Sequence, residues 1–176
     1  MVQWKNINAI IDNRLFLGNI LAPRSTRSLT DHGITHILSV CSDEIPAERP
    51  QSGITHMRIP VEDDIHADLL IYLPAACRWI DEALRGGGVV LVHCYQGLSR
   101  SPAVIVAYLM WSRRVKTAHA MEIVRNCREQ IWINEGFQEQ LVLFELCDYQ
   151  PSPANGFYAK WRYGLNNKLR ALGRLQ

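Results

Sequence analysis

The run Val89-Val90-Leu91-Val92 has no polar residue in it, and after nine intervening residues Pro102 opens a stretch to Trp111 that is almost wholly apolar. A strand with no polar alternation must be covered on both faces, which puts it in the middle of a parallel sheet between helices. A helix that is apolar all round is buried as well. One chain of 176 residues has room for one such core, without help from metals or disulfides. The reading is α/β, a single-domain sandwich with a central, mostly parallel sheet flanked by helices.

The rest of the chain fits that frame. Ile7 to Ile11 and Leu15 to Leu17 read as strands broken by the turn pair Asp12-Asn13. Ser28 to His32 reads as a short helix closed by Gly33. Ile34 to Val40 reads as a strand ended by Cys41, and Met57, Ile59 and Val61 alternate as another strand. A helix is predicted from about Leu69 to Leu84, with Leu69, Tyr72, Leu73, Ala76 and Ile80 on one face and Pro74 marking a first turn. Thr117 and Asn134 are predicted caps of two further helices, ending near Glu129 and Cys147. Pro151 and Pro153 make a short linker to a tail, Phe157 to Leu175, with Leu165, Leu169 and Leu172 at helical spacing and Trp161 one turn earlier.

Between strand and buried helix lies His93-Cys94-Tyr95-Gln96-Gly97-Leu98-Ser99-Arg100-Ser101. A loop in this place can curl so that successive backbone N–H groups point at one spot, beside the positive end of the helix. Gly97 permits a backbone conformation that a side chain forbids. The result is an anion cradle. Five residues separate Cys94 from Arg100, so the guanidinium returns over the anion that the thiol faces. Arg offers a planar fork that fits phosphate oxygens, and the positive surroundings hold the thiol as a nucleophilic thiolate. Ser101 can donate to the sulfur and help it leave. A lone cysteine is most often inert packing; Cys, Gly, Arg and Ser in register between a strand and a helix argue against that here. His93 reads equally as a satisfied core histidine and as a tuner of the loop.

His93-Cys94-x-x-Gly97-x-Ser99-Arg100-Ser101 resembles the signature of the cysteine-dependent dual-specificity protein phosphatases. Leu15-Phe16-Leu17-Gly18-Asn19, Gly33 to Val40, Ala107-Tyr108-Leu109-Met110 and Asn134-x-Gly136-Phe137-x-x-Gln140-Leu141 resemble further elements of that family. The resemblance covers roughly Ile7 to Tyr149. It implies a catalytic domain over residues 1–150, with 151–176 as linker and basic amphipathic helix. It implies hydrolysis of phosphotyrosine and phosphoserine or phosphothreonine in proteins through a phosphocysteine intermediate. Cys94, Arg100, Asp63 and Ser101 would be catalytic, with His93, Tyr95, Gln96, Gly97, Leu98 and Ser99 around the substrate. Phosphate, sulfate or vanadate should occupy the loop, and no metal or cofactor is required.

The acid that protonates the leaving group lies among Glu62, Asp63 and Asp64. Resemblance selects Asp63, with Asp64 the runner-up. The loop carries no Lys of the kind that phosphoinositide phosphatases use, and Ser99 and Ser101 flank Arg100 where RNA triphosphatases have Asn and Thr. Some relatives have a cysteine at the place of Cys41 that forms a reversible disulfide with the nucleophile; a small apolar filler is the alternative. A phosphate-binding module without turnover is the alternative to the enzyme.

Charge and cysteine usage bound the setting. The tail from Pro151 has five basic and no acidic residues, leaving the body with 14 basic against 17 acidic. The tail helix either docks on its own domain or meets an anionic or ribosomal partner. Tyr158-x-x-Trp161 resembles a subgroup linked to ribosome maturation, whose members carry a Cys-rich zinc domain after the catalytic one. The chain ends before such a domain, which on that reading makes it a catalytic fragment. Cys41, Cys77, Cys94, Cys127 and Cys147 show no C-x-x-C pair, so reduced thiols in a cytoplasmic or nuclear compartment are expected, with Cys77, Cys127 and Cys147 as packing. No apolar signal segment follows Met1, Val2 excludes myristoylation, and no stretch is long enough to span a bilayer.

Overall fold

The computed structural model describes residues 5–11 and 13–175. Asp12 of the first turn and the residues Met1 to Trp4 lie outside the described residues. The elements are β1 (Ile7–Ile11), β2 (Leu15–Gly18), α1 (Leu21–Arg24), α2 (Thr26–Asp31), β3 (His36–Ser39), β4 (Thr55–Arg58), α3 (Leu73–Arg85), β5 (Val90–His93), α4 (Arg100–Arg113), α5 (Thr117–Cys127), α6 (Glu135–Leu146) and α7 (Gly156–Ala171). The sheet order is β1-β2-β5-β3-β4. Among the described residues only β1 and β2 pair antiparallel; the other pairs are parallel.

The apolar strand is the central one, β5, and its alternate side chains enter two cores. Val90 and Val92 join Leu15, Leu17 and Leu38 on the face covered by α3 to α6. Leu91 joins Phe16, Ile37 and Leu29 on the face covered by α1 and α2. That division is why no polar residue is tolerated there: both directions are dry. Helix α4 is buried from Arg100 through Met110, packed among α3, α5 and α6.

Several boundaries differ from the sequence reading. β5 is shifted one residue onward, to His93, because the parallel ladders with β2 and β3 run on to His93, opposite Gly18 and Ser39. Helix α4 starts at Arg100, so Pro102 sits in its first turn, where the missing N–H costs nothing. β4 runs only from Thr55 to Arg58, although Ile59 still donates to the Ser39 carbonyl. Thr117 does not cap α5; the cap position is Lys116 and makes no side-chain bond. Asn134 does cap α6, accepting from the Phe137 N–H at 2.9 Å. Leu70–Tyr72 is a 3-10 turn before α3, which rotates Tyr72 out of the buried face while Pro74 falls in the first turn of the helix.

The tail forms α7 and docks on its own domain. Asn155 caps it, and Tyr158 and Leu165 are buried with Trp161 packed beside them. Leu172 falls past the helix end and is exposed, so the predicted apolar stripe stops one turn early. The Tyr158 hydroxyl donates to Asp68 at 2.6 Å, and Arg162 reaches the same carboxylate oxygen at 3.2 Å. Burial and the Asp68 carboxylate push the Tyr158 hydroxyl well above its ordinary pKa, so it stays a donor. A hydrogen bond to a charged group contributes about 1.5–3 kcal/mol. Asp68 keeps Arg162 when the tyrosine is lost, so Tyr158→Phe should cost about 1–2 kcal/mol in urea unfolding at pH 7; no loss would show that the hydroxyl does not anchor the tail.

Candidate active site

The loop from Cys94 to Ser99 leaves β5 and enters α4 with its carbonyls turned outward. Tyr95 O accepts from the Ile20 N–H at 3.0 Å and Leu98 O from the Trp132 N–H at 2.7 Å. Gln96 O and Gly97 O both accept from the Arg128 guanidinium. In a trans peptide the following N–H points opposite to each carbonyl, so the N–H groups converge on the inside. One of them, Gly97 N–H, donates to Cys94 Sγ at 3.2 Å. Gly97 has φ +71°, and a Cβ there would lie 2.7 Å from Gly18 O. No other residue type fits.

Cys94 is buried, and Ser101 Oγ donates to its sulfur at 3.1 Å. Arg100, the first residue of α4, is also buried. Its Nη1 donates to the Val61 carbonyl at 3.1 Å and lies 3.9 Å from Glu62 Oε2, while its Nε is buried with no partner among the described residues. A buried unpaired donor on a cation is costly. A donor left in this state is available to an acceptor that enters the loop.

His93 closes the base of the site. Its Nε2 lies 2.6 Å from Ser39 Oγ, which lies 2.9 Å from His56 Nε2; its Nδ1 lies 3.4 Å from Cys94 O. With Nδ1–H donating to the carbonyl, Nε2 accepts the Ser39 hydroxyl proton. Burial pushes the His93 pKa down to about 3, against the smaller raising effect of the Cys94 carbonyl. The imidazole is therefore a neutral brace for the loop. Ser39 and His56 were missed in the sequence, since only the sheet register sets Ser39 opposite His93.

The acidic segment separates its candidates. Asp63 Oδ1 accepts from Ser99 Oγ at 2.6 Å and from Asn134 Nδ2 at 2.7 Å. Asp64 instead pairs with Arg174 of the tail at 2.9 Å and accepts from the His66 N–H at 2.7 Å. Those bonds, Arg174 first, hold the Asp64 carboxyl below its usual pKa. Glu62 is exposed and accepts from Ser42 Oγ. Asp63 is thus the acid joined to the Cys94 loop. Asn134, placed in the sequence only as a helix cap and a family element, does two jobs: Oδ1 caps α6 and Nδ2 holds Asp63. Gly136 allows the close approach, since a Cβ there would overlap the Ile65 carbonyl.

Tyr95 and Trp132 are exposed at the loop, 53% and 80% accessible. Cys41 is buried in the smaller core, and its sulfur reaches Asp43 O at 3.9 Å. Burial raises its pKa. The cysteines are free thiols; Cys77 and Cys147 are buried and Cys127 half-buried at the end of α5.

The His93 shift has a sign. Its pKa is lower folded than unfolded, so its stability contribution is complete above about pH 6.5 and is lost as pH falls toward 3. Urea unfolding at pH 7.5 and 4.5 should show a larger acid loss for the wild type than for His93→Gln. Equal losses would mean that His93 titrates normally.

Comparison with known proteins gives the same picture. Residues 15–147 match the family model of the dual specificity phosphatase catalytic domain. Dual specificity protein phosphatase 12 of Mus musculus is 34% identical over 149 residues, which are 84% of this chain and 44% of that protein, so the chain spans less than half of that relative. The Yvh1 phosphatase domain from Chaetomium thermophilum superposes with a TM-score of 0.74 at 35% identity, covering 82% of this chain and 99% of that one. A mouse putative dual specificity phosphatase complexed with zinc tungstate superposes at 0.70 with 29% identity, covering 99% and 95%. With its loop, its sheet order and most of its length matched, the chain belongs to the dual-specificity protein phosphatase family.

Proposed function

We propose that this chain hydrolyses phosphotyrosine and phosphoserine or phosphothreonine in proteins, with Cys94 as nucleophile and Asp63 as general acid and base. The observation that carries the reading is the buried Arg100, its Nε unpartnered, on a loop whose N–H groups converge around a buried thiol. Those donors suit the three equatorial oxygens of a phosphoryl group in transfer. Tungstate, an oxyanion of similar shape, accompanies the mouse relative; phosphate and vanadate are expected to fill the same loop here.

In the first step the Cys94 sulfur attacks phosphorus, the P–O bond to the substrate breaks, and Asp63 gives its proton to the leaving oxygen. In the second step a water attacks the phosphocysteine, Asp63 takes the water's proton, and sulfur leaves as a thiolate. The Ser101 hydroxyl, at 3.1 Å, stabilises that leaving sulfur. Arg100 and the loop supply positioning and charge. The exposed rings of Tyr95 and Trp132 give apolar surface beside the loop, which favours an aromatic phosphoester. The loop residues Tyr95, Gln96 and Leu98 add no charge of their own, which disfavours polyphosphorylated lipids and RNA 5′-ends.

Hydrolysis of a small aryl phosphate tests the assignment. Cys94→Ser should abolish turnover, Asp63→Ala should lower kcat by about 10²–10³-fold, and Asp64→Ala should leave kcat within about threefold of wild type. A folded wild type that binds vanadate without turnover would identify a binding module instead.

We also propose Cys41 as the resolving partner of an oxidised Cys94. The Val40 N–H donates to the His93 carbonyl at 2.8 Å, so Val40 lies beside Cys94 where the adjacent strands end, with Cys41 one residue further on and its side chain in the smaller core. Peroxide oxidises Cys94 to a sulfenic acid, and the Cys41 thiol condenses with it, losing water. Peptide mapping after limited peroxide should find a Cys41–Cys94 peptide; sulfinic acid on Cys94 with Cys41 still free would rule the pairing out.

A further inference from the structure

Arg128 lies just past the end of α5, behind the phosphate-binding loop, and the proposed chemistry makes no use of it. It is 2% exposed. A buried cation is normally met by a carboxylate. Among the described residues Arg128 has none. Its donors go to four neutral oxygens: Nε to Gly97 O at 3.1 Å, Nη2 to Gln96 O at 3.4 Å, and Nη1 to Lys5 O at 2.8 Å and Asn8 Oδ1 at 2.7 Å. Asn8 is itself oriented by donating to the Cys127 carbonyl at 3.1 Å. The guanidinium is thus held in one plane by the start of β1 and spends its other face on two consecutive loop carbonyls.

The two peptides it holds are those whose N–H groups matter. With Gln96 C=O drawn toward Arg128, the Gly97 N–H points the opposite way, and it meets Cys94 Sγ at 3.2 Å. With Gly97 C=O drawn the same way, the Leu98 N–H is turned inward beside it. Gly97 is shaped for this neighbour too, since a Cβ would lie 3.1 Å from Nη2. The missing carboxylate has a consequence: the charge of Arg128 is not cancelled locally, so its field reaches through the loop to whatever anion sits inside. Burial lowers the Arg128 pKa and the negative charge of Cys94 works in the opposite direction, which places the two groups within electrostatic reach. An arginine in such a site stays protonated at any working pH.

We infer that Arg128 is a positioning residue of the active site: a second, hidden cation that turns the Gln96–Gly97 and Gly97–Leu98 peptides inward and adds positive potential behind the Cys94 thiolate. This rests on the reading of the loop as a phosphate cradle. Arg100 faces the anion from α4 and Arg128 supports the loop from behind, so one cation binds and the other shapes. Other titratable groups around the loop are Tyr95 within it, His93, neutral above about pH 3, His56 joined to it through Ser39, Asp63 on Ser99, and Glu62 beside Arg100.

The test uses the full chain with Arg128→Met, which keeps length and loses charge, and Arg128→Lys, which keeps charge and loses the fork. Alkylation of Cys94 by iodoacetamide is followed against pH by peptide mapping, with and without inorganic phosphate, beside thermal melts. For Arg128→Met the alkylation midpoint should rise by about one pH unit and phosphate should protect about tenfold less well. For Arg128→Lys the midpoint should stay near the wild-type one, while protection still weakens severalfold. A folded Arg128→Met with wild-type midpoint and protection overturns the inference. If that variant does not fold, unchanged protection in Arg128→Lys overturns it. Alkylation needs no turnover, which keeps two failures apart. A wild type that phosphate does not protect would remove the phosphatase reading itself, whereas protected wild type and equally protected variants would remove only Arg128.

Discussion

Ile20 N–H, the Arg128 guanidinium and Trp132 N–H hold four consecutive loop carbonyls, Tyr95 to Leu98, away from Cys94. Those tethers come from three distant places: the connection after β2, the end of α5, and the connection before α6. Fixing a residue's backbone costs about 1–2 kcal/mol, and here that cost is met by the fold before any ligand arrives. The N–H groups then need no rearrangement when charge develops on a phosphoryl group, which is what makes electrostatic stabilisation effective. The sheet takes part as well. Only because β5 is central, with β2 and β3 on either side, do both neighbouring strand ends reach the base of the loop.

The acid is placed by a different mechanism. The segment from Glu62 to Leu69 has no strand or helix of its own, so its position is borrowed from α6. Gln140 is 1% exposed; its Oε1 takes the N–H groups of Leu69 and Leu70, and its Nε2 donates to Ala67 O. Gly136 lets the Ile65 carbonyl approach, and Asn134 holds Asp63 itself. The separation of acid and thiol is therefore fixed by the packing of α6 on α4, two rigid bodies, although the acid sits on a loop.

The sheet and the loop were legible because each has a pattern with one physical solution. Val89 to Val92 reads as a central strand, and Cys94, Gly97, Arg100 and Ser101 in register between strand and helix read as an anion cradle. The boundaries that slipped were those decided by backbone alone: where the parallel ladder of β5 ends, or Lys116 standing at the cap position ahead of Thr117 with no side-chain bond. Asp63 and Asp64 are adjacent and alike in sequence. What separates them is whether the partner is Ser99 or Arg174, residues 36 and 110 positions away. Arg128 and Ser39 were illegible for the same reason. A polar residue near a strand or helix end reads as solvated surface until the fold shows which carbonyl or ring lies opposite.

The tail shows how a charge asymmetry in sequence can be spent at home. Of its five basic residues, Arg162 pairs with Asp68 and Arg174 with Asp64. Both acids belong to the segment that carries Asp63, and Asp68 also caps the turn before α3 by accepting from the Ile71 N–H. Part of the acidity of the body and part of the basicity of the tail are thus two sides of one contact. Lys160, Lys168 and Arg170 remain exposed, and three solvated cations on one 16-residue helix are an ordinary surface. The contact that matters physically is the inward one. The Tyr158 bond to Asp68 is partly buried and little affected by salt, while the Arg174 pair is half exposed and screened at physiological ionic strength. α7 is therefore fastened firmly at its first turn and loosely past its end. The acid segment that it covers takes most of its order from α6 and the first turn of α7, and little from the last residues of the tail.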